Sequence, residues 1–250
     1  MSKKERDTYR RYKLNEINTH TLTVSNITKT FGQYKALDEV GFQIENGITA
    51  LLGNNGAGKT TLINSIVGLI ETDNGTVELD GIDNGKKGKE FRKYLGFLPQ
   101  ECGYYDEFSA LQFLRYMGSI KNVPKKICDE RIEEYMKKLR LWEHRHKKVS
   151  QYSGGMKHRL GIIQALLNEP ALLILDEPTT GLDYIERSVF ADIMKEYAKE
   201  HIVIISTHIF SDVEDIAENV IILNTGKLVC NEKFEKGSSI IECYEQHFKG

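Results

Sequence analysis

The sequence has little cysteine and no cysteine pattern. Cys102, Cys128, Cys230 and Cys243 are far apart and fit no CxxC or zinc-type spacing, so nothing calls for a disulfide framework and a reducing cytosol is the expected compartment. Charge of one sign is also lacking. Thirty-four basic residues against 36 acidic ones leave −2, so no global basic field exists to draw nucleic acid, and none is expected as a partner. Long apolar runs are absent: Ala171–Leu175 and Ile202–Ile205 are strand-length, whereas a membrane span needs about 20 apolar residues. The N-terminus is basic (Lys3, Lys4, Arg6, Arg10, Arg11) with no apolar core behind it, which is not a secretory signal. Repeats and low-complexity stretches are missing too. With 250 residues, 40% hydrophobic and 28% charged, the chain is sized and composed for a soluble globular protein with a sizeable core.

What is present is alternation of strand and helix patterns. Residues 1–20 are charge-rich without apolar periodicity and read as a basic tail. Strands are predicted at Thr21–Val24, Val40–Ile44, Ile48–Leu52, Thr76–Leu79 and Tyr94–Leu98. Helix-spaced apolar residues run from Gly58 to Ile70. A charged helical stretch from Phe108 to about Leu141 breaks at Pro124 and reads as an insertion. Beyond it come a helix from Gly154 to about Leu167, strand Ala171–Leu175, a helix after Asp183 and strand Ile202–Ile205. A short helix around Ser211–Glu218 then leads to a hairpin, Val220–Leu223 and Lys227–Val229, turned at Thr225-Gly226. Such alternation predicts an α/β fold with a mostly parallel sheet, whose chemistry lies at the C-terminal ends of the strands.

Gly53-Asn54-Asn55-Gly56-Ala57-Gly58-Lys59-Thr60 satisfies GxxxxGK[ST] between a strand and a helix. Glycines let successive N–H groups turn inward on phosphate oxygens, and the following helix aims its positive end at the same anion. Lys59 would sit on the β- and γ-phosphates and the Thr60 hydroxyl would ligate Mg²⁺. The apolar strand Ala171–Leu175 ends in Asp176 and Glu177. Two acids there are costly unless a cation or a proton uses them. Asp176 would hold Mg²⁺ and Glu177 would act as general base on the attacking water. The pair of motifs predicts a chain that binds and hydrolyses a nucleoside triphosphate.

Tyr152-Ser153-Gly154-Gly155-Met156, opening a helix between these motifs, narrows the class. With it, the sequence resembles the nucleotide-binding subunit of an ATP-binding cassette (ABC) transporter over roughly residues 21–235. The motifs run in the family's order: the phosphate loop Gly53–Thr61, Gln100 after Gly96-Phe97-Leu98-Pro99, Ser153-Gly154-Gly155, Asp176-Glu177, Gly181-Leu182-Asp183 and Ser206-Thr207-His208. The resemblance implies a P-loop NTPase (RecA-like) core, an N-terminal antiparallel β subdomain and a helical subdomain inserted at about 101–155, with a short segment at 236–250. It implies ATP and Mg²⁺ as cofactors, the latter held by Thr60, Gln100 and Asp176. Glu177, His208, Gln100 and Lys59 would be catalytic. Phe31 would stack on adenine, and Asn54, Asn55, Gly56, Ala57, Thr61 and Asp183 would complete nucleotide binding. Ser153, Gly154 and Gly155 would cap the ATP of a second subunit in a homodimer, with integral membrane subunits as further partners at the cytoplasmic face of the membrane.

Tyr152, Met156 and Tyr184 depart from the commoner residues of the family, and the Tyr–Ser–Gly–Gly–Met form resembles bacterial exporters of drugs, antimicrobial peptides or lipids. The alternative is a soluble ABC ATPase serving a scaffold, of the iron–sulfur cluster assembly type. His144 and His146 lie in a basic stretch with no third ligand nearby and read as a solvated face, or part of the face met by the other subunit. The aromatic cluster Tyr104, Tyr105, Phe108, Phe113 and Tyr116 reads equally as a docking groove or as helical-subdomain core.

Overall fold

The computed structural model describes residues 19–234 and 239–246, so the expected basic tail lies outside the described residues apart from its last two. His20 is buried and joins Asp80 through Nδ1 at 2.7 Å.

The first sheet is antiparallel. β1 (Thr21–Phe31) and β2 (Tyr34–Glu45) form a long hairpin, joined on the other edge of β1 by β4 (Asn74–Leu79) and then β5 (Ile82–Asp83). Both hairpin strands extend well past their predicted cores, because the hairpin pairs along nearly its whole length despite register shifts. The second sheet has the order β10-β9-β3-β8-β7-β6. Its strands β3 (Gly47–Leu52), β6 (Leu95–Leu98), β7 (Leu172–Asp176), β8 (Ile202–Ser206) and β9 (Asn219–Asn224) are mutually parallel, and β10 (Lys227–Lys233) closes the edge antiparallel to β9.

Period-two alternation divides the strand residues between two cores. Ile48, Ala50 and Leu52 of β3, Leu173 and Leu175 of β7, and Val203 and Ile205 of β8 face one core, shared with the helical region. Leu51, Leu172, Ile174, Ile202 and Ile204 face the other, shared with the antiparallel sheet and α1 (Lys59–Ile66). Strands covered on both faces are uniformly apolar, as parallel sheets require. α2 (Asn84–Phe91) adds Phe91 to the second core.

The insertion is a helical pair. α3 (Ala110–Ile120) starts with a capping box between Ser109 and Gln112 and meets α4 (Lys125–Lys138) so closely that a Cβ on Gly118 would stand 2.3 Å from the Cys128 sulfur. Phe113 and Leu114 pack with Ile132 and Met136 over α5 (Gly154–Leu166). Lys121 ties the pair to α5, donating to the Gln164 carbonyl and the Asn168 side chain at 2.8 Å each, and burial pulls its ammonium down to about 7. The aromatic cluster splits: Phe113 is buried, whereas Tyr105 and Tyr116 are exposed and pack edge to face at 5.2 Å. α6 (Tyr184–Tyr197) covers the first core, and α7 (Ile240–Gln246) lies beyond β10.

Two predicted helices are shorter than expected. α1 stops at Ile66 because Gly68 turns left-handed (φ 75°) and the N–H groups of Leu69 and Ile70 return to the Asn64 carbonyl. No α-helix forms at Ser211–Glu218, where one 3₁₀ turn, Phe210–Asp212, is held instead. There the Thr207 hydroxyl accepts from the Ile209 N–H, while Asp212 is taken by Thr179 and Arg187, so tertiary bonds fix a loop. α2 escaped prediction because it is polar and interrupted, with a non-helical Lys87.

Gly96 in β6 carries no side chain because a Cβ would stand 2.4 Å from the Ala165 carbonyl and 2.6 Å from Pro170. Gly96→Ala is therefore expected to destabilise the chain by about 1–3 kcal/mol through overpacking, measured by urea unfolding with an unchanged m-value.

Candidate active site

Every element of the site sits at the C-terminal edge of the parallel sheet. β3 runs into a loop whose glycines are forced by backbone proximity. Gly53 (φ 152°) would place a Cβ 2.5 Å from the Leu223 carbonyl, and Gly58 (φ 105°) would place one 2.8 Å from the Ala36 carbonyl. The β9–β10 turn supports the loop from beneath. Thr225 and Gly226 are both left-handed, and the Gly226 N–H donates to the Ala57 carbonyl at 2.9 Å. That turn has the twist of a two-residue hairpin. α1 begins directly after Gly58, leaving its first-turn N–H groups without intrahelical partners and directed at the loop's concave side.

The loop borders a cavity of about 680 Å³, which also takes in Gln100, Asp176, Glu177 and His208. That volume suits a nucleotide-sized ligand. Lys59 folds over the loop, donating from Nζ to the Gly53 carbonyl at 2.5 Å and the Asn54 carbonyl at 3.2 Å. Burial pulls its ammonium below the ordinary range, against the opposing pull of Glu177 and Asp176. Asp176 ends β7 almost fully buried. Burial pushes its carboxyl up, the Ser206 hydroxyl and Lys59 counter this, and the Glu177 charge adds to it.

Glu177 is bent out of the strand with φ 52°, its N–H bonded to the Ser206 carbonyl at 2.8 Å. Its Oε1 lies 2.7 Å from His208 Nδ1, and the Thr207 hydroxyl reaches Oε2 at 3.5 Å. A residue at the end of β8 thus fixes the orientation of a carboxylate at the end of β7. Thr60, Gln100, Asp176 and Glu177 line this one cavity with Lys59, so it offers hydroxyl, amide and carboxylate oxygens, a donor set that fits Mg²⁺.

Gly53 to Gly56 and Gly58 to Thr61 line the cavity together with these residues, while Ala57 is buried under the loop. Phe31 does not line it. It stands half exposed at the hairpin tip with Lys29 Nζ 5.5 Å over its ring, and the hairpin's own lining aromatic is its cross-strand neighbour Tyr34, whose hydroxyl donates to the Gly56 carbonyl at 3.2 Å. Nor do Ser153, Gly154, Gly155 and Asp183. Ser153 caps α5 by accepting from the Met156 N–H, and Asp183 caps α6 by accepting from the Glu186 N–H at 2.8 Å. These two caps adjoin: a Cβ on Gly155 would stand 2.5 Å from the Gly181 carbonyl, and Arg159 pairs with Glu186 at 2.9 Å. Ser153 and Gly154 point to solvent, as do Tyr184 and Ile185.

Sequence reasoning missed Tyr34, Phe210 and Tyr244 as lining residues. Tyr34 had a signal, the two-residue Gly32-Gln33 turn that sets it opposite Phe31. Tyr244 had none, since its hydroxyl donates to the Asn54 side chain at 2.8 Å across 190 residues of chain.

The family model described as ABC transporter matches residues 37–180. The chain is 38% identical over 208 residues to the ABC transporter ATP-binding protein YxlF of Bacillus subtilis, itself uncharacterised, spanning 83% of this chain and 69% of that one. It is 36% identical over 211 residues to the bacitracin transport ATP-binding protein BcrA of Bacillus licheniformis, spanning 83% and 68%. A solved ATP-binding subunit of an ABC transporter superposes with a TM-score of 0.84 at 26% identity, covering 91% of this chain and 99% of that one. A nucleotide-free ATP-binding cassette, at 23% identity and a TM-score of 0.77, shares the fold over 92% of this chain and 96% of its own.

Because burial raises the Asp176 carboxyl, its ionisation costs stability above the ordinary carboxylate range, and well below that range the group is protonated folded and unfolded alike, so the cost disappears. Asp176→Asn is therefore expected to raise the melting midpoint of the ligand-free chain at neutral pH, with the gain vanishing as pH falls through that range. Calorimetry across pH checks the sign.

Proposed function

The chain belongs to the ABC transporter family as an ATP-binding protein, and from that premise we propose that it hydrolyses ATP with Mg²⁺ to drive transport through separate membrane subunits. The observation that carries the proposal is the convergence of Lys59, Asp176 and the Glu177–His208 pair on one cavity beside the phosphate loop.

Each residue has a task that its geometry supports. A triphosphate entering the cavity replaces the Gly53 and Asn54 carbonyls as the partner of Lys59, while the first-turn N–H groups of α1 take phosphate oxygens. Gly53 and Gly58 give that backbone its shape. Tyr34 and Phe31 offer ring faces at the hairpin tip for the base. Glu177, held by His208 through Oε1, has at Oε2 only the long 3.5 Å contact from the Thr207 hydroxyl, which leaves that oxygen a lone pair for the attacking water. The water oxygen bonds to the γ-phosphorus, the bond to the β–γ bridging oxygen breaks, and the water proton passes to Glu177 as ADP departs. Mg²⁺, when bound, offsets phosphate charge, and Thr60, Gln100 and Asp176 are the residues that would hold it.

The outward Ser153 and Gly154 at the start of α5, with Tyr184 and Ile185 exposed after the adjoining Gly181 turn, support a dimer in which Ser153 and Gly154 cap ATP bound by the partner subunit. The exposed Tyr105 and Tyr116, close behind Gln100, support contact with a membrane subunit. Among the described residues no helix is long and apolar enough to cross a membrane, which accords with a peripheral place at the cytoplasmic face. Likeness to a bacitracin transport protein and the form of Tyr152–Met156 favour export. The transporter names of the relatives favour this reading over a scaffold ATPase.

Glu177→Gln tests the chemistry. ATP binding is expected to persist, turnover to fall by about 10²–10⁴-fold, and the chain to elute as a dimer with ATP. Turnover at the parental rate would remove Glu177 from the role of base.

A further inference from the structure

Outside the nucleotide cavity, one group of metal-ligating side chains comes together among the described residues. Cys230 and Glu232 of β10 and Cys243 of α7 bring one sulfur, one carboxylate oxygen and one sulfur within 4.8 Å of one another. A bulge in β10 sets this up. The β9 partner of Leu228 is Leu223 and that of Cys230 is the adjacent Ile222, so Val229 is the extra residue. The register shift turns Cys230 to the face covered by α7, and Glu232, two residues on, takes the same face at its solvent edge. α7 is seated by Ile240, which is fully buried, and this brings Cys243 over β10. The two sulfurs lie 4.0 Å apart and are not joined as a disulfide.

We propose that Cys230, Cys243 and Glu232 form a binding site for a thiophilic divalent cation, zinc in the first instance, which fastens α7 to the edge of the parallel sheet. The geometry matches the ion. Zinc–sulfur bonds of about 2.3 Å at a tetrahedral angle separate two sulfurs by about 3.8 Å, close to the distance already present. Two thiolates and one carboxylate cancel the charge of the ion with one to spare, and the exposed edge at Glu232 leaves the fourth position to water. Thiol ligands select zinc over Mg²⁺, the ion proposed for the nucleotide cavity. On binding, each thiol loses its proton to solvent as its sulfur bonds the metal.

The site has a reach beyond its own ligands. The residue after Cys243 is Tyr244, which packs on Phe210 with ring centroids 4.9 Å apart and donates to Asn54 in the phosphate loop. An ion that fixes Cys243 fixes Tyr244 as a wall of the cavity. The metal site rests on none of the proposed ATP chemistry, so the two readings fail separately.

The test uses the full chain, reduced with a thiol-free reductant, stripped with chelator and free of nucleotide. Cobalt(II) is titrated as the optical probe and zinc is then added. The expected result is one cobalt per chain with the near-ultraviolet band of thiolate-to-cobalt charge transfer, lost on adding zinc. Cys230→Ser and Cys243→Ser should each abolish the band or weaken binding at least about 100-fold. Glu232→Gln, at an exposed position where folding is not at stake, should weaken it about 10-fold or more. Cys102→Ser and Cys128→Ala should keep it. Absence of the band in the parental chain overturns the site, as does its survival in the Cys230→Ser, Cys243→Ser double variant. A reduced chain that takes up no cation but forms a Cys230–Cys243 disulfide on oxidation, seen by peptide mass spectrometry, overturns it in favour of a redox pair.

Discussion

Backbone meeting backbone beneath the phosphate loop is the constraint on which the rest of this structure depends. Gly53 lies against the Leu223 carbonyl, Gly58 against the Ala36 carbonyl and Gly226 against the same Ala36 oxygen, each with no room for a Cβ. These contacts join the end of β3, the tip of the antiparallel hairpin and the β9–β10 turn in one knot. β9 must therefore neighbour β3, and β2 must pass over the loop. The start of α1 is then fixed against the ends of β7 and β8, where the acids and the histidine stand.

A second constraint is charge. Asp176 and Glu177 are adjacent and largely buried, with Lys59 the basic group that pulls on the Asp176 carboxyl. The fold tolerates this by bending Glu177 into a left-handed conformation that turns its carboxylate toward His208. Strain of that kind, of order 1–3 kcal/mol, persists where the surroundings over-determine it, and here the Ser206 carbonyl and two side chains do so.

Much of this was legible in the sequence, for identifiable reasons. The parallel strands are uniformly apolar and the phosphate loop carries its glycines at fixed offsets, so local pattern sufficed for β3, β7, β8 and the start of α1, though not for its end. What stayed hidden was set by distant partners. The segment after His208 looks helical, yet Asp212 is drawn away by Thr179 and Arg187. Tyr34 rather than Phe31 lines the cavity because its hydroxyl reaches the Gly56 carbonyl of the phosphate loop, a contact set by tertiary packing. The proximity of Cys230 to Cys243 follows from a bulge and a short C-terminal helix, and neither leaves a spacing signature in four scattered cysteines.

Gly155 and Gly181 belong to different motifs, yet the first is held to glycine by the carbonyl of the second, which itself takes a left-handed turn (φ 77°). A methyl group on the first would strike the carbonyl of the second, and the Arg159–Glu186 pair holds the same two loops from behind. The two loops are thus one packed unit. A side chain at position 155 is admissible only if the carbonyl of residue 181 moves away, so a loop grafted at the first site should succeed only when its neighbour at the second is transplanted with it.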